Sequence, residues 1–281
     1  MTEQEDIITR LGTQKNIDVE AERERRIRFL CDLLIANGRR SLVLGISGGV
    51  DSLAAGYLCQ QAAQRARSQG HDARFIAMRL PYGVQRDEAD AQQALAFIRP
   101  DTTMMVDIQP ASDGMLAALK AGGTSFLDAG HEDFTLGNIK ARQRMIAQYA
   151  VAGATYGLVI GTDQAAEALM GFFTKHGDGA CDAAPLTGLN KRQVRALVAA
   201  AGAPDSLVFK VPTADLESLV PLKPDELAFG VRYDEIDDFL EGKPIDVASR
   251  DRILAQYRLT AHKRALPVTP PLVPAPIEVP S

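Results

Sequence analysis

Between Leu42 and Ser52 the chain reads Leu-Val-Leu-Gly-Ile-Ser-Gly-Gly-Val-Asp-Ser, and these residue types in this order suit the binding of a polyphosphate. A short apolar run ends in a Gly/Ser turn and opens into Leu53-Ala54-Ala55-Gly56-Tyr57-Leu58, which has helix character. A strand, a glycine turn and a helix N-terminus bring successive backbone N–H groups to one point, where the helix dipole adds positive potential. Gly48 and Gly49 permit φ > 0 and close approach of a ligand, and Ser47 and Ser52 add hydroxyl donors. The loop lacks the Gly-Lys-Ser/Thr ending of a Walker A motif, and Gly45-Ile46-Ser47-Gly48 has the wrong spacing for a dinucleotide fingerprint. An aspartate at the mouth of a phosphate cradle repels phosphate unless a divalent cation lies between, so Asp51 points to Mg2+. The plain alternative is a strand-to-helix turn with Asp51 favoured by the dipole; six small or polar residues in a row weigh against it.

Gly161-Thr162-Asp163-Gln164-Ala165-Ala166-Glu167 repeats this logic: an apolar run ends in glycine, then polar groups open a helix. Asp163 and Glu167 share a helix face if residue 163 is already helical, and then repel unless one caps the helix or binds a cation. Gly171 to Asp182 sets three glycines among Phe172, Phe173, Lys175, His176 and Asp178, which fits neither helix nor strand and suits a functional loop. Asn190 is placed to cap a helix whose first turn contains Lys191, where the dipole disfavours a cation; a nearby anion such as phosphate, or a tolerated surface lysine, answers the misfit. Arg142, three after Ile139 and four before Ile146, either snorkels at an edge or meets a carboxylate or phosphate.

The elements that must carry these loops follow from periodicity. Helices are predicted over 18–37, from the first loop to about 66, and near 86–98, 110–121, 134–152, 163–170, 190–201, 232–240 and 247–260. Strands are predicted at 41–46, 73–78, 103–106 and 156–160. The alternation predicts an α/β fold, a parallel sheet with helices on both faces, with right-handed crossovers. Ligands of such sheets sit beyond the carboxyl ends of the strands, where 45–52, Arg79 to Gly83 and 161–163 all fall. One domain is expected over 1–266, with a proline-rich tail over 267–281 that is extended or disordered.

The net charge of −5 provides no general basic field for nucleic acid, and no apolar run is long enough to span a bilayer. The polar start predicts no signal peptide. Cys31, Cys59 and Cys181, odd in number and scattered, suit reduced cytoplasmic thiols; the first two read as core residues.

The first loop resembles the SGGxDS loop of the ATP pyrophosphatase superfamily, which cleaves ATP between the α and β phosphates. Together with Gly137-Asn138-Ile139-Lys140-Ala141-Arg142, Gly171-Phe172-Phe173-Thr174-Lys175, Pro212-Thr213-Ala214-Asp215-Leu216, Tyr233 to Asp238 and His262-Lys263-Arg264, it is similar to the ammonia-dependent NAD synthetases from about residue 17 to 265. The resemblance implies a Rossmann-like architecture of the adenine nucleotide alpha-hydrolase type, and amidation of deamido-NAD with ammonia and ATP through an acyl-adenylate. It implies ATP contacts from Gly45, Ile46, Ser47, Gly48, Gly49, Val50, Asp51, Ser52, Arg79, Gln85, Thr162, Lys191 and Thr213. It implies substrate contacts from Arg142, Lys175, Asp182, His262 and Lys263, and Mg2+ on Asp51 and Glu167. Lys191 then steadies the leaving pyrophosphate, and Asp178 holds ammonium and takes its proton. A homodimer is implied, with the helices containing Ile27 to Leu34 and 134–152 near its interface. With no room for an amidase domain, free ammonia is the expected nitrogen donor.

Relatives often have Gln at Val50, His at Gln164, an acid near Ala228 and an aromatic residue near Leu33. The rival readings are another ATP-pyrophosphatase amidase or a tRNA-thiolating enzyme, and an ATP-binding regulatory module without turnover. The tRNA reading predicts a basic face and a cysteine pair, neither of which is visible. The module has no use for Glu167, Lys175, Asp178 and Lys191 together.

Overall fold

A computed structural model describes the chain except residues 1, 85–87, 215, 216, 218, 220–222, 266, 268 and 271–281. Gln85, part of the Pro-Thr-Ala-Asp-Leu stretch and most of the proline tail therefore lie outside the described residues. In chain order the elements are α1 (Glu3–Leu11), α2 (Val19–Ala36), β1 (Ser41–Gly45), α3 (Val50–Ser68), β2 (Arg74–Arg79), α4 (Glu88–Ile98), β3 (Thr102–Met105), α5 (Gln109–Ala121), α6 (Ala129–Ala154) and β4 (Gly157–Val159). There follow α7 (Ala165–Met170), α8 (Lys191–Ala200), α9 (Asp205–Val208), β5 (Thr213–Ala214), β6 (Lys223–Pro224), α10 (Asp225–Phe229), α11 (Tyr233–Leu240), α12 (Val247–Leu259) and α13 (Ala261–Arg264).

The four long strands form a parallel sheet in the order β3-β2-β1-β4, as the alternation of elements predicts. Ser41 pairs with Arg74 on one side and with Gly157 on the other, so β1 is central. Such a strand is buried on both faces and reads as an unbroken apolar run. Successive side chains nevertheless go to opposite faces. Leu42 and Leu44 join Phe75 and Ala77 in a core with α2, α3 and α8. Val43 joins Ile76, Met78 and Val159 under Ile108 and Ala152 on the other face. Cys31 and Cys59 are buried in the first of these cores and act as small apolar residues.

A third cluster lies apart from the sheet. Ile7 of α1 packs with Ala165, Ala166, Leu169 and Met170 of α7 and with Phe229, Tyr233, Ile236 and Phe239. Helix α1 has no counterpart in the expectations, where the polar start hid it. Its signal was present: Thr2 and Glu5 form a capping box, and Glu3, Glu5 and Asp6 fill the first turn. Other boundaries moved for equally local reasons. Helix α6 begins at Ala129 because Asp128 accepts the N–H of His131 at 2.8 Å. Helix α7 begins at Ala165 with Gln164, not Asp163, as its cap, so Asp163 and Glu167 do not share a helix face.

Replacing Ile7, 1% exposed, by Ala should lower unfolding stability by about 2–5 kcal/mol in a chemical denaturation series. A loss under about 0.5 kcal/mol would mean that α1 is not part of this packing.

Candidate active site

Strand β1 is followed in the chain by a crossover to β2 on one side, and β4 is its neighbour on the other. The carboxyl ends of β1 and β4 therefore flank a topological switch point, where open parallel sheets hold ligands. A cavity of about 440 Å3 opens there. Gly45, Ile46, Ser47, Gly49, Val50, Asp51 and Ser52 form one wall. Arg79 and Thr162 reach it from the ends of β2 and β4, and Thr213 from β5.

The loop is held by its own polar groups. The Ser47 and Ser52 hydroxyls lie 3.1 Å apart, and Ser52 donates to the Gly49 carbonyl at 2.9 Å. Gly49 has an ordinary φ of −83° and caps α3, so it does not need to be glycine for its backbone angle. Gly48 does: its φ is +86°, and an added Cβ would lie 2.8 Å from the Ala91 backbone nitrogen. The close approach at Gly48 is thus made by α4, and Gly48 does not line the cavity. Arg79, 3% exposed, donates to the Ile46 carbonyl and pairs with Glu88.

Lys191 enters from the opposite wall. Asn190 and Gln193 form a capping box at the start of α8, and Asp237 accepts the backbone N–H groups of Lys191 at 3.0 Å and Arg192 at 2.8 Å. This carboxylate covers the positive helix end. The Lys191 side chain, 1% exposed, runs to Asp51, with Nζ 2.6 Å from Oδ2 and 3.9 Å from Glu167 Oε1. The anion that the helix-start misfit called for is therefore a carboxylate of the chain itself. Burial works against the Lys191 charge, yet Asp51 and Glu167 outweigh it and hold its pKa above the ordinary lysine value.

The acids outnumber that cation. Burial, then the charge of Asp51, pushes Glu167 well above the usual carboxylate range. Burial and the charges of Asp178 and Asp51 raise Asp163 to about 7. Burial also raises Asp225 and Asp178. Asp178 lines the cavity, is exposed to solvent, and accepts the Thr174 N–H at 2.8 Å. Asp51 Oδ1 is buried without a hydrogen-bond partner. An orphaned carboxylate oxygen beside a second, destabilised carboxylate suits a divalent cation. Among the described residues, no three acidic, His or Cys groups are spaced to hold a metal by themselves. Two protein carboxylates with remaining positions left to phosphate is the arrangement Mg2+ favours.

The loop 171–182 is tied to α13. Lys263 donates to the Gly171 and Phe173 carbonyls at 2.8 Å each, and Lys175 to the His262 carbonyl at 2.7 Å. Lys263 and Asp178 line the cavity; Arg142, Lys175, Asp182 and His262 do not. Arg142 is exposed and donates to the Lys175 carbonyl, while Asp182 accepts the Val159 N–H at 2.8 Å. From α6 the cavity wall is Phe134, Gly137, Asn138, Ala141, Arg144 and Gln148. Their spacing of three and four is a helical stripe visible in the sequence, and it selects Arg144 over Arg142. Cys181 packs beside Gly161, with burial raising its thiol to about 11, which leaves it inert.

The NAD synthase family model matches residues 22–267. An NH3-dependent NAD+ synthetase of Streptomyces coelicolor is 62% identical over 267 residues, which is 95% of this chain and 97% of that protein. The solved NAD+ synthetase of Burkholderia pseudomallei superposes with a TM-score of 0.82 at 57% identity, covering 94% of this chain and 96% of that one. The solved NMN synthetase of Francisella tularensis superposes with a TM-score of 0.79 at 32% identity, covering 92% and 100%.

Asp163 provides a test of the electrostatics. Its folded pKa of about 7 exceeds the unfolded value of about 3.9. The wild type therefore loses stability as pH rises from about 4 to about 7, because the unfolded state releases the proton first. Asp163→Asn should gain on the wild type in melting temperature by several degrees across that window and hold the gain above it. A difference that does not vary with pH would contradict the assigned burial of this charge.

Proposed function

The chain belongs to the NAD synthase family, and on that footing we propose how its site carries out the ATP-dependent amidation of deamido-NAD by ammonia, giving NAD, AMP and pyrophosphate. The observation that carries the reading is the meeting of Asp51, Glu167 and Lys191 at the cavity wall beside the Ser47–Ser52 loop. A nicotinate carboxylate has no leaving group for ammonia to displace, and ATP supplies one. The carboxylate oxygen attacks the α-phosphorus, pyrophosphate leaves, and an acyl-adenylate forms. Ammonia then attacks the acyl carbon, and the C–O bond to AMP breaks.

Each residue has a part in this. The N–H groups of Gly45, Ile46, Ser47 and Gly49 donate within the protein, so the hydroxyls of the loop and backbone N–H groups at the N-terminal end of α3 hold phosphate oxygens. Asp51 and Glu167 would hold Mg2+, which when bound neutralises charge developing on pyrophosphate. Lys191 faces the same oxygens and stabilises them directly. Arg79, Thr162 and Thr213 border the nucleotide, as Gln85 would from outside the described residues. Asp178 accepts the proton that ammonium must lose before it can attack; its raised pKa makes it a better base. Lys263 lines the cavity and is proposed to meet the substrate there, while Arg142, Lys175, Asp182 and His262, which do not line it, would reach the substrate only as the loop 171–182 closes. Closure of the loop 171–182 excludes water that would hydrolyse the adenylate.

The working unit is one domain over residues 1–266, and we propose that it pairs as a homodimer. Edge strand β3 exposes Met105 at 74%, and Met115 of α5 with Phe134 and Ile146 of α6 are also exposed. Exposed apolar side chains of this size support a protein contact. The stripe Ile27, Leu30, Cys31 and Leu34 of α2 is enclosed in the protomer core and leaves Phe29 outward. No helix among the described residues is long and apolar enough to cross a membrane. Three free cysteines support a reducing, cytoplasmic setting.

The similarity to an NMN synthetase makes the mononucleotide the substrate to compare. Incubation with ATP, ammonium and either deamido-NAD or nicotinate mononucleotide should release AMP and pyrophosphate in step with the amide formed, NAD from the first and NMN from the second, with deamido-NAD preferred. Preference for the mononucleotide, or AMP release indifferent to either, overturns the assignment. Asp51→Ala should lower pyrophosphate release by about 1000-fold or more. Asp178→Ala should slow amide formation by at least about tenfold more than adenylate formation, whereas equal loss of the two steps rejects its role as proton acceptor.

A further inference from the structure

Lys191 has three neighbours of different kinds. Its Nζ lies 2.6 Å from Asp51, 3.9 Å from Glu167 and 4.8 Å from the centroid of the Tyr233 ring. The first two are the carboxylates that the proposed function gives to a divalent cation. A cation there competes with the ammonium for the same oxygens and repels it at close range. A lysine held 1% exposed then needs another counterpart, because an unpaired buried charge is costly.

The Tyr233 ring is built to be that counterpart. It is 3% exposed. Its hydroxyl donates to Asp225 Oδ2 at 3.0 Å, and its backbone N–H donates to Glu226 Oε1 at 2.8 Å. Phe229 meets the ring edge-on at 5.5 Å. The ring is therefore held at its hydroxyl, at its backbone and by one neighbouring ring, and Lys191 lies over it. Asp225, 6% exposed, lines the cavity and keeps its Oδ1 buried without a hydrogen-bond partner. One turn along α11 from Tyr233, Asp237 grips the backbone of Lys191. A single helix thus holds both ends of the lysine, the main chain through Asp237 and the ammonium through Tyr233.

We propose that Tyr233, steadied by Asp225, is a positioning residue: its ring is the second seat of the Lys191 ammonium, which keeps that charge in the cavity when a divalent cation engages Asp51. This rests on the reading of Asp51 and Glu167 as cation ligands. In the first seat the ammonium pairs with Asp51; in the second it faces the ring and turns toward the phosphates. No bond is made or broken in the exchange, and Lys191 keeps its proton.

The probe is Mn2+ with α,β-methylene ATP, which cannot release pyrophosphate, bound to the full chain and followed by electron paramagnetic resonance. Asp51→Asn should weaken Mn2+ binding; unchanged binding would refute the ligand assignment and with it this proposal. Given that weakening, Tyr233→Phe should stay within about twofold of the wild type, while Tyr233→Leu should bind Mn2+ about 5- to 30-fold more weakly. In a Lys191→Met background, Tyr233→Leu should have no further effect. Wild-type affinity in Tyr233→Leu, or an equal loss with and without Lys191, overturns the second seat while leaving the cation ligands in place. If Tyr233→Leu does not fold, Tyr233→Met carries the same comparison.

Discussion

The pairing of Lys191 with Asp51 joins two helix starts that lie 140 residues apart in the chain. Helix α3 brings the aspartate and helix α8 the lysine, and the N-terminal ends of both face the same space. Such a pair is a poor source of stability. Taking two charges out of water costs several kcal/mol per ion, and their attraction roughly offsets this when the geometry is good. Removing either partner leaves the other charged and buried, which is far worse. The packed sheet faces and the α7 cluster must therefore carry the stability, and on the proposed reading the pair answers to the chemistry of the triphosphate.

Around that pair, buried acids gather. Glu167, Asp163, Asp178 and Asp225 all have carboxyl groups lifted by burial, and Lys191 is the cation among them that bonds Asp51. Arg79, Arg144, Lys210 and Lys263 line the same cavity, so these acids face several cations besides Lys191. On the proposed reading, a carboxyl group raised by burial suits the second half-reaction, in which ammonium must give up a proton to something that retains it. On that reading one cluster of groups serves both steps, holding the cation that accompanies ATP and accepting the proton of the nitrogen donor.

Much of this was legible in the chain. The unbroken apolar run at 42–44 identifies a central parallel strand, and the glycine and serine residues after it identify the turn. Asn190 before Lys191 marks both a helix start and an electrostatic misfit, and the misfit is resolved by Asp51. What the sequence hid depends on contacts between distant segments. Nothing near Tyr233 announces that its ring meets Lys191, because the meeting is made by α11 packing beside α8. Asp237 looks like a solvent-facing acid of an acidic stretch and is in fact buried across a helix end. Arg142 drew notice for its two isoleucine neighbours, yet the stripe of Gly137, Ala141 and Arg144 decides which side of α6 faces the cavity. Small residues are weak signals in a hydrophobic pattern, although they are what allows a ligand to approach a helix.

Helix α1 lies outside residues 22–267, the span matched by the family model, yet it bears on the centre of the site. Ile7 supports α7, which carries Glu167, and Gln193 of α8 donates to the Gln14 carbonyl just beyond α1. Gly188, in the turn before α8, comes so close to the Gly12 carbonyl that a side chain there would collide. A nine-residue helix is marginal alone and frays first. The acid and the ammonium of the site thus lean on packing against the first helix of the chain. The first turns therefore help to set where the charges of the site stand, although among the described residues they contribute no group to the cavity.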